Sequence, residues 1–375
     1  MSCGLPRRPE AKGCYRSRFR RCETVLQGTV LQGKEEDPMK FALLGHSGHL
    51  DYYEQMLQDL PDVTVAAVAL AIPGESLDSF ASAPGVTPET NRYTEYEEML
   101  DKESPDLVQI CVPPLQVPGL TEICLKRGIA VMTEKPLAMD LGTLSQLYAA
   151  ASEAGTPLAA LHGYRRMKWF EAARDAVRAG LIGEPLGSYS QISYRWGARR
   201  PDHFRLRETF PGIVPFVGVH VIDWLVWSLG DVFTEVTGWE TTAAHPDYPG
   251  CASQAAILLR MRNGGVATVM LDFLRPATAP SHGDERMMIS GTEGVVESIA
   301  NEETAKLISE QAGVCNLEIP DTPNWYTAFV SSVQDGSFAG VEELFRMTEI
   351  ALKAQQSIDE GKRISLLQSP YGAKK

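Results

Sequence analysis

The chain has 375 residues, 44% of them hydrophobic and 22% charged, and a formal net charge of −13. That length holds two domains with real cores, and the charged fraction is that of a globular chain rather than a disordered one. The acidic balance speaks against nucleic acid or an anionic membrane as the main partner, and no apolar run approaches the roughly 18–20 residues of a membrane span.

Residues 1–38 hold 8 Lys/Arg against 5 Asp/Glu and lack the apolar stretch of a secretory signal. They are expected to be a disordered extension before a domain that begins at Met39. A short apolar run at 40–44 ends in a Gly/Ser turn and is followed by a helical stretch at 52–60. The Val- and Ala-rich run 63–72 stops at Pro73-Gly74, and 107–112 stops at Pro113-Pro114. Further runs stand at 130–133 and 158–161. Continuous apolar strands alternating with helices predict a doubly wound parallel α/β domain over 39–160.

The second half changes character. Segments 188–194 and 254–261 alternate in polarity, 266–272 follows the turn Asn263-Gly264-Gly265, and short strands are expected at 287–289 and 295–296. An apolar helix at 217–229 interrupts them, and a last helix runs from about 342 to 358. This pattern predicts an α+β domain with a mostly antiparallel sheet over 161–366, leaving 367–375 as a tail.

Seven cysteines are spread over Cys3, Cys14, Cys22, Cys111, Cys124, Cys251 and Cys315. Neither a disulfide framework nor a zinc ribbon fits, so a reducing, cytoplasmic setting is expected and no metal site is assigned. The turn Gly45-His46-Ser47-Gly48-His49 sits between a strand and a helix, where a dinucleotide's pyrophosphate rests on backbone and helix N-terminus. It departs from G-x-G-x-x-G at Ser47 and Leu50, and a plain strand-to-helix turn stays open as an alternative. No Lys or Arg occurs from Phe41 to Asn91, and Glu75 is the only carboxylate near the end of the second strand, two or three residues late. NAD is therefore expected over NADP.

Lys135, in Thr133-Glu134-Lys135-Pro136, ends the fourth strand at the edge where doubly wound sheets bind ligands. Its ammonium polarises a substrate oxygen or loses its proton when partly buried, or the residue is an ordinary loop lysine. His220 and Asp223 lie i, i+3 in the apolar helix, as a satisfied core pair or as an imidazole with its supporting carboxylate. Trp196, Arg199, Arg200 and His203 form an aromatic and basic cluster suited to a polyol, to a carboxylate, or to solvent. Tyr164 and Arg166 either reach the nicotinamide side or brace the domain junction.

Taken in order, Cys111-Val112-Pro113-Pro114, Glu134-Lys135-Pro136, Gly163-Tyr164-Arg165-Arg166, the segment 180–185, Gly218-Val219-His220-Val221-Ile222-Asp223 and Asn263-Gly264-Gly265 resemble the Gfo/Idh/MocA oxidoreductases over roughly 39–364. The resemblance implies an N-terminal Rossmann domain, a C-terminal domain with a large open antiparallel sheet, and a nicotinamide between them. It makes Lys135 the catalytic lysine and places His220 at the substrate, and the two are expected to manage the hydroxyl proton, His220 as a general base. Gly45, Ser47, Gly48, His49, Pro113, Pro114, Glu134, Lys135, Pro136 and Arg166 become the cofactor set, and Tyr164, Trp196, His203 and Asp223 the substrate set. The chain departs from the family pattern at Ser47, at Ile72 where an Asp commonly meets the ribose, and at Gln116-Val117 where a His often follows the prolines. Phe216 stands where an Asp precedes the histidine by four residues. The expected activity is hydride transfer between NAD(P) and a sugar, inositol or related polyol derivative, in a homodimer or homotetramer. A family member that binds nucleotide and ligand without turnover, as a sensor, is the alternative. Hydrolysis or elimination through a transiently used nicotinamide stays open as well.

Overall fold

The computed structural model describes residues 38–197 and 200–371, with the backbone alone at Arg166. The expected extension at 1–38 therefore lies almost entirely outside the described residues. Six strands form the first sheet: β1 (Met39–Leu44), β2 (Val63–Ala69), β3 (Asn91–Tyr93), β4 (Leu107–Ile110), β5 (Ala130–Thr133) and β6 (Leu158–Ala160). All are parallel, in the order β3-β2-β1-β4-β5-β6. Every residue of β4, β5 and β6 is buried, because α1 (Glu54–Asp59), α2 (Tyr96–Glu103), α3 (Val117–Lys126) and α4 (Leu141–Ala154) cover the sheet. Helix α4 starts where the Asp140 side chain accepts the Thr143 N–H, and it stops at Gly155 in the left-handed region (φ 62°). The strand order reverses between β1 and β4, which opens a crevice at their carboxyl ends.

The second sheet has nine strands: β7 (Pro185–Arg195), β8 (Phe233–Thr241), β9 (Gln254–Met261), β10 (Val266–Arg275), β11 (Gly283–Gly291), β12 (Gly294–Ile299), β13 (Thr304–Ser309), β14 (Gly313–Asn316) and β15 (Ile364–Ser365). Their order is β14-β13-β12-β11-β7-β10-β9-β8-β15, antiparallel except for the pair β7–β10. The hairpin at 263–265 forms as its residues require: Gly264 has φ 91°, and the Asn263 side chain accepts the Gly265 N–H at 3.1 Å. Alternation sets the two faces. Ala267, Val269, Leu271 and Phe273 of β10 point into a core shared with α5 (Lys168–Arg178) and α6 (Val219–Leu229). Helix α6 is buried along nearly its whole length, which is why its sequence is apolar all round. It is preceded by a π-helical turn at Val214–Gly218, so the regular helix begins two residues later than periodicity predicts.

The C-terminal elements tie the domains together. In α7 (Trp325–Gln334), Tyr326, Phe329 and Val330 pack with Phe41, Tyr53 and Leu161 under the parallel sheet. Helix α8 (Glu342–Glu360) gives Phe345 and Leu352 to the first domain and Met347, Ile350 and Ala354 to the second. Within the expected tail, Tyr371 is buried against Tyr148 and Phe345, while Leu367, Gln368 and Pro370 before it are exposed.

Candidate active site

The carboxyl ends of β1, β4 and β5 meet the π-helical turn and α6 of the second domain across a cleft of about 630 Å³. The turn after β1 needs both of its glycines. Gly45 (φ 74°) lies so close to β4 that a Cβ there would fall 2.5 Å from the Cys111 carbonyl oxygen. Gly48 (φ 87°) leaves the space into which the Glu134 carboxylate folds. That carboxylate accepts the His49 N–H, and His49 Nδ1 lies 2.9 and 3.0 Å from its two oxygens. Burial works against the ionised Glu134, but His49 and Lys135 outweigh it and hold its pKa below the ordinary value. The Glu of the E-K-P tripeptide thus clamps the glycine turn.

At the end of β2 the chain doubles back through Pro73-Gly74 and returns Glu75 to the turn. Its Oε2 accepts the Ala71 and Ile72 N–H groups at 2.6 and 3.1 Å, and its Oε1 accepts the His46 N–H at 3.3 Å. A carboxylate late in sequence is therefore placed beside the turn, where Ile72 leaves none.

Lys135 is 3% exposed. Its Nζ donates to the Phe216 carbonyl at 2.9 Å and stands 3.8 Å from the centre of the Phe216 ring. Burial pulls its pKa down to about 8, aided by Arg200 and opposed by Glu134. His220, also buried, takes the Gly163 N–H on Nδ1 at 3.3 Å. An imidazole that accepts on Nδ1 carries its proton on Nε2. Burial, with Lys135, His162 and His49 adding to it, holds the His220 pKa well below its usual value, so the ring is neutral. His162, edge-on to His220 at 5.7 Å between ring centres, is likewise brought down by burial, to about 4.

Of the residues expected from sequence, Ser47, Gly48, His49, Pro113, Pro114, Glu134, Lys135, His203 and His220 line this cleft. Gly45 and Pro136 flank it in the turns that shape it, and the Arg166 side chain lies outside the described residues. Asp223 is a correction: it neither lines the cleft nor supports His220. Its carboxylate is fully buried and bound by Arg165 through Nε (2.9 and 3.1 Å) and Nη2 (2.7 Å). Two residues at i, i+3 share a face only approximately, and here a partner from another element draws Asp223 away. Tyr164 is also withdrawn, buried behind His220 and packed on Phe170. Trp196 stacks on His245 with ring centres 3.8 Å apart and backs the wall rather than lining it.

Tyr194, Phe204, Phe273 and His282 complete the wall, and sequence reasoning did not find them. His282 stacks on Tyr194 at 5.0 Å only because β7 and β11 are neighbours, a pairing of residues 88 apart that no local pattern announces. A wider cleft of about 1500 Å³ opens at the amino edge of the parallel sheet, beside Asp62, Asp101 and Asp106. Doubly wound sheets bind ligands at the opposite edge, so it is not assigned.

A doubly wound sheet with a glycine turn at its switch point, a carboxylate at the end of β2 and a second domain closing the crevice defines a dinucleotide-dependent two-domain protein. Sequence profiles agree: residues 39–162 match "Oxidoreductase family, NAD-binding Rossmann fold", and 170–297 match "GFO/IDH/MocA C-terminal domain". The chain belongs to the Gfo/Idh/MocA family, and its first domain is an NAD-binding Rossmann domain. It is 29% identical over 144 residues to a D-apiose dehydrogenase of Paraburkholderia graminis, covering 37% of each chain. It is 24% identical over 225 residues to a myo-inositol 2-dehydrogenase of Thermotoga maritima, covering 59% of this chain and 64% of that one. Each match thus spans less than two thirds of the relative. Among solved structures, a protein described as an oxidoreductase from Thermotoga maritima superposes with a TM-score of 0.79 at 29% identity, over 87% of this chain and all of the other.

Proposed function

We propose that the protein is an NAD-dependent oxidoreductase that acts on a CH–OH carbon of a sugar, inositol or related polyol derivative. The observation that carries this is the convergence of a buried lysine and a neutral buried histidine at the carboxyl edge of the Rossmann sheet. The cleft fits the dinucleotide: Gly45 and Gly48 leave the backbone approachable, and Glu75 stands where an adenosine ribose is recognised. Ser47, Gly48 and His49 would hold the pyrophosphate, and Pro113, Pro114, Glu134 and Pro136 would shape the nicotinamide end. Among the described residues no Lys or Arg pairs with Glu75, and the His46 imidazole, with Nε2 4.0 Å from its Oε1, is its nearest basic group, which favours NAD over NADP. When bound, the nicotinamide supplies the hydride acceptor for oxidation, or the donor for reduction.

The chain's own groups handle the proton. With a pKa near 8, the Lys135 amine takes the hydroxyl proton as the carbonyl forms, and returns it in the reverse direction. The neutral His220 presents Nε2–H and donates to the reacting oxygen. Phe216 fills the place of the family Asp in another way: its carbonyl and ring fix the Lys135 head. Fluorescence titration with NADH, followed by turnover on a polyol panel, tests the reading. Failure to bind NADH would remove it.

The second sheet supports a homodimer or homotetramer. Its outer face exposes Tyr189, Trp239, Leu258, Val266 and Leu274, apolar side chains that a second copy would cover. Light scattering on the purified chain checks this, and a monomer at micromolar concentration would refute it. A cytoplasmic location belongs to the same reading. Among the described residues no helix is long and apolar enough to cross a membrane.

A further inference from the structure

Both carboxylates that line the cleft are already engaged. Glu75 is held by three backbone N–H groups, and Glu134 by His49. Glu75 stands at the nucleotide end beside residues 46, 71 and 72, and Glu134 is taken up by the glycine turn, so neither is offered to the hydroxyls of a neutral polyol at the reacting end. The opposite wall instead presents one guanidinium, Arg200, beside the imidazoles of His203 and His282, both held below their usual pKa by burial.

Arg200 is the exceptional one. Its guanidinium carbon lies 4.5 Å from the Phe273 ring centre, 5.2 Å from Trp196 and 5.4 Å from Phe204, so three aromatic rings fix its direction. Nη2 donates to the Arg195 carbonyl at 3.0 Å, whereas Nε has no partner. No carboxylate among the described residues pairs with it. Arg195 shares this pattern, its Nη2 on the Ala279 carbonyl and its Nε unpartnered, but it does not line the cleft; four other largely buried arginines are paired with carboxylates. Arg165 is held by Asp223 and Glu343, Arg346 by Asp231 and Glu349, Arg174 by Glu171, and Arg275 by Asp284. A caged guanidinium without a counter-charge is costly unless a ligand supplies one. Arg200 lines the same cleft as Lys135 and His220, and its charge adds to the burial that lowers the lysine's pKa.

We infer that Arg200, flanked by His203 and His282, receives a carboxylate of the substrate, so that the protein acts on a sugar acid, an aldonate or uronate, in preference to a neutral polyol. The inference rests on the oxidoreductase reading for the reaction, but the carboxylate site stands on Arg200 itself. A planar guanidinium takes a carboxylate through two parallel hydrogen bonds, which gives orientation as well as affinity. The acid group would anchor one end of the molecule and leave a hydroxyl carbon at Lys135 and His220.

The test uses matched pairs on the NAD-loaded chain: gluconate with glucitol, glucuronate with glucose, and threonate with threitol. In the wild type, kcat/KM for the acid should exceed that for its neutral partner by about a hundredfold, the worth of a charged hydrogen-bonded pair. Arg200→Gln should bring the acid down to the level of the neutral compound while the Kd for NADH stays within about twofold. A preference for the neutral member would overturn the inference. So would an equal loss on both members, or a loss of NADH affinity in place of acid preference. If no compound turns over, the melting temperature of the NADH-loaded protein decides. A rise with the acids in the wild type, absent in Arg200→Gln, keeps the carboxylate site and removes the oxidoreductase reading. No rise with any acid removes the site.

Discussion

Replacing Lys135 by methionine separates what the lysine does for chemistry from what it costs the fold. In the unfolded chain the amine titrates near 10.5, and in the fold burial brings it to about 8. Between those values the folded state holds fewer protons than the unfolded one, so wild-type stability rises with pH across that window. Below pH 8 the full penalty applies. At about 1.4 kcal/mol per pKa unit it is roughly 3 kcal/mol. The contacts to the Phe216 carbonyl and ring are lost in the variant and offset part of the gain. Lys135→Met should therefore be more stable than wild type at pH 7 by up to about 3 kcal/mol, with the difference vanishing near pH 10.5. Activity should move the other way. Oxidation needs the free amine, present in only about a tenth of molecules at pH 7, so wild-type kcat/KM should climb to a plateau above pH 8. The variant should lose on the order of 10²–10⁴ in turnover together with that inflection, while still binding NADH. Urea unfolding at pH 7 and pH 10, beside a pH–rate profile, measures both effects. Unchanged turnover, or an inflection that survives the substitution, would refute the assignment.

Three further outcomes are expected. Because Gly163 fixes the His220 proton on Nε2, His220→Gln keeps a donor and should lose about tenfold in kcat, whereas His220→Ala should lose a hundredfold or more. Equal losses, or a wild-type inflection near pH 6.5, would return the histidine to a general-base role. Glu75→Ala should weaken NADH by about tenfold and narrow its advantage over NADPH, read by fluorescence titration; an unaltered NADH affinity would remove Glu75 from the ribose site. Asp223→Ala leaves Arg165 buried without its main partner and should cost about 3–5 kcal/mol in urea unfolding, with KM little changed in whatever protein folds. A change in KM without loss of stability would place Asp223 at the substrate after all.

The frame of the protein is legible in its sequence wherever burial imposes a pattern. Strands β1, β4, β5 and β6 are apolar runs because both faces are covered, and β9 and β10 alternate because one face is. Strand β3 escapes notice, being three polar and largely exposed residues at a sheet edge. The π-helical turn escapes for a different reason. A single register shift inside an apolar stretch leaves hydrophobic periodicity unchanged, yet it sets where Phe216 stands relative to Lys135.

Two of the four departures from the family pattern show the same limit at the site. Read as letters, Phe216 for Asp and Ile72 for Asp each remove a charge. In the fold, the first loss is met by a main-chain carbonyl and an aromatic face, and the second by Glu75 folding back on three N–H groups. A backbone carbonyl has no letter of its own, and a carboxylate delivered by a loop has the wrong position in sequence. What a sequence pattern records is the residue that commonly supplies an interaction; what chemistry requires is the interaction. Lys135 titrates near 8 because its pocket is desolvated, and Phe216 helps to enclose it without adding a charge while its carbonyl and ring hold the amine in place. A carboxylate at 216 would favour the ammonium form and raise the lysine's pKa, so Phe216→Asp should move the inflection of the pH–rate profile above 8. An inflection that stays at 8 or falls would show that the Phe216 side chain plays no part in setting the proton affinity of the lysine.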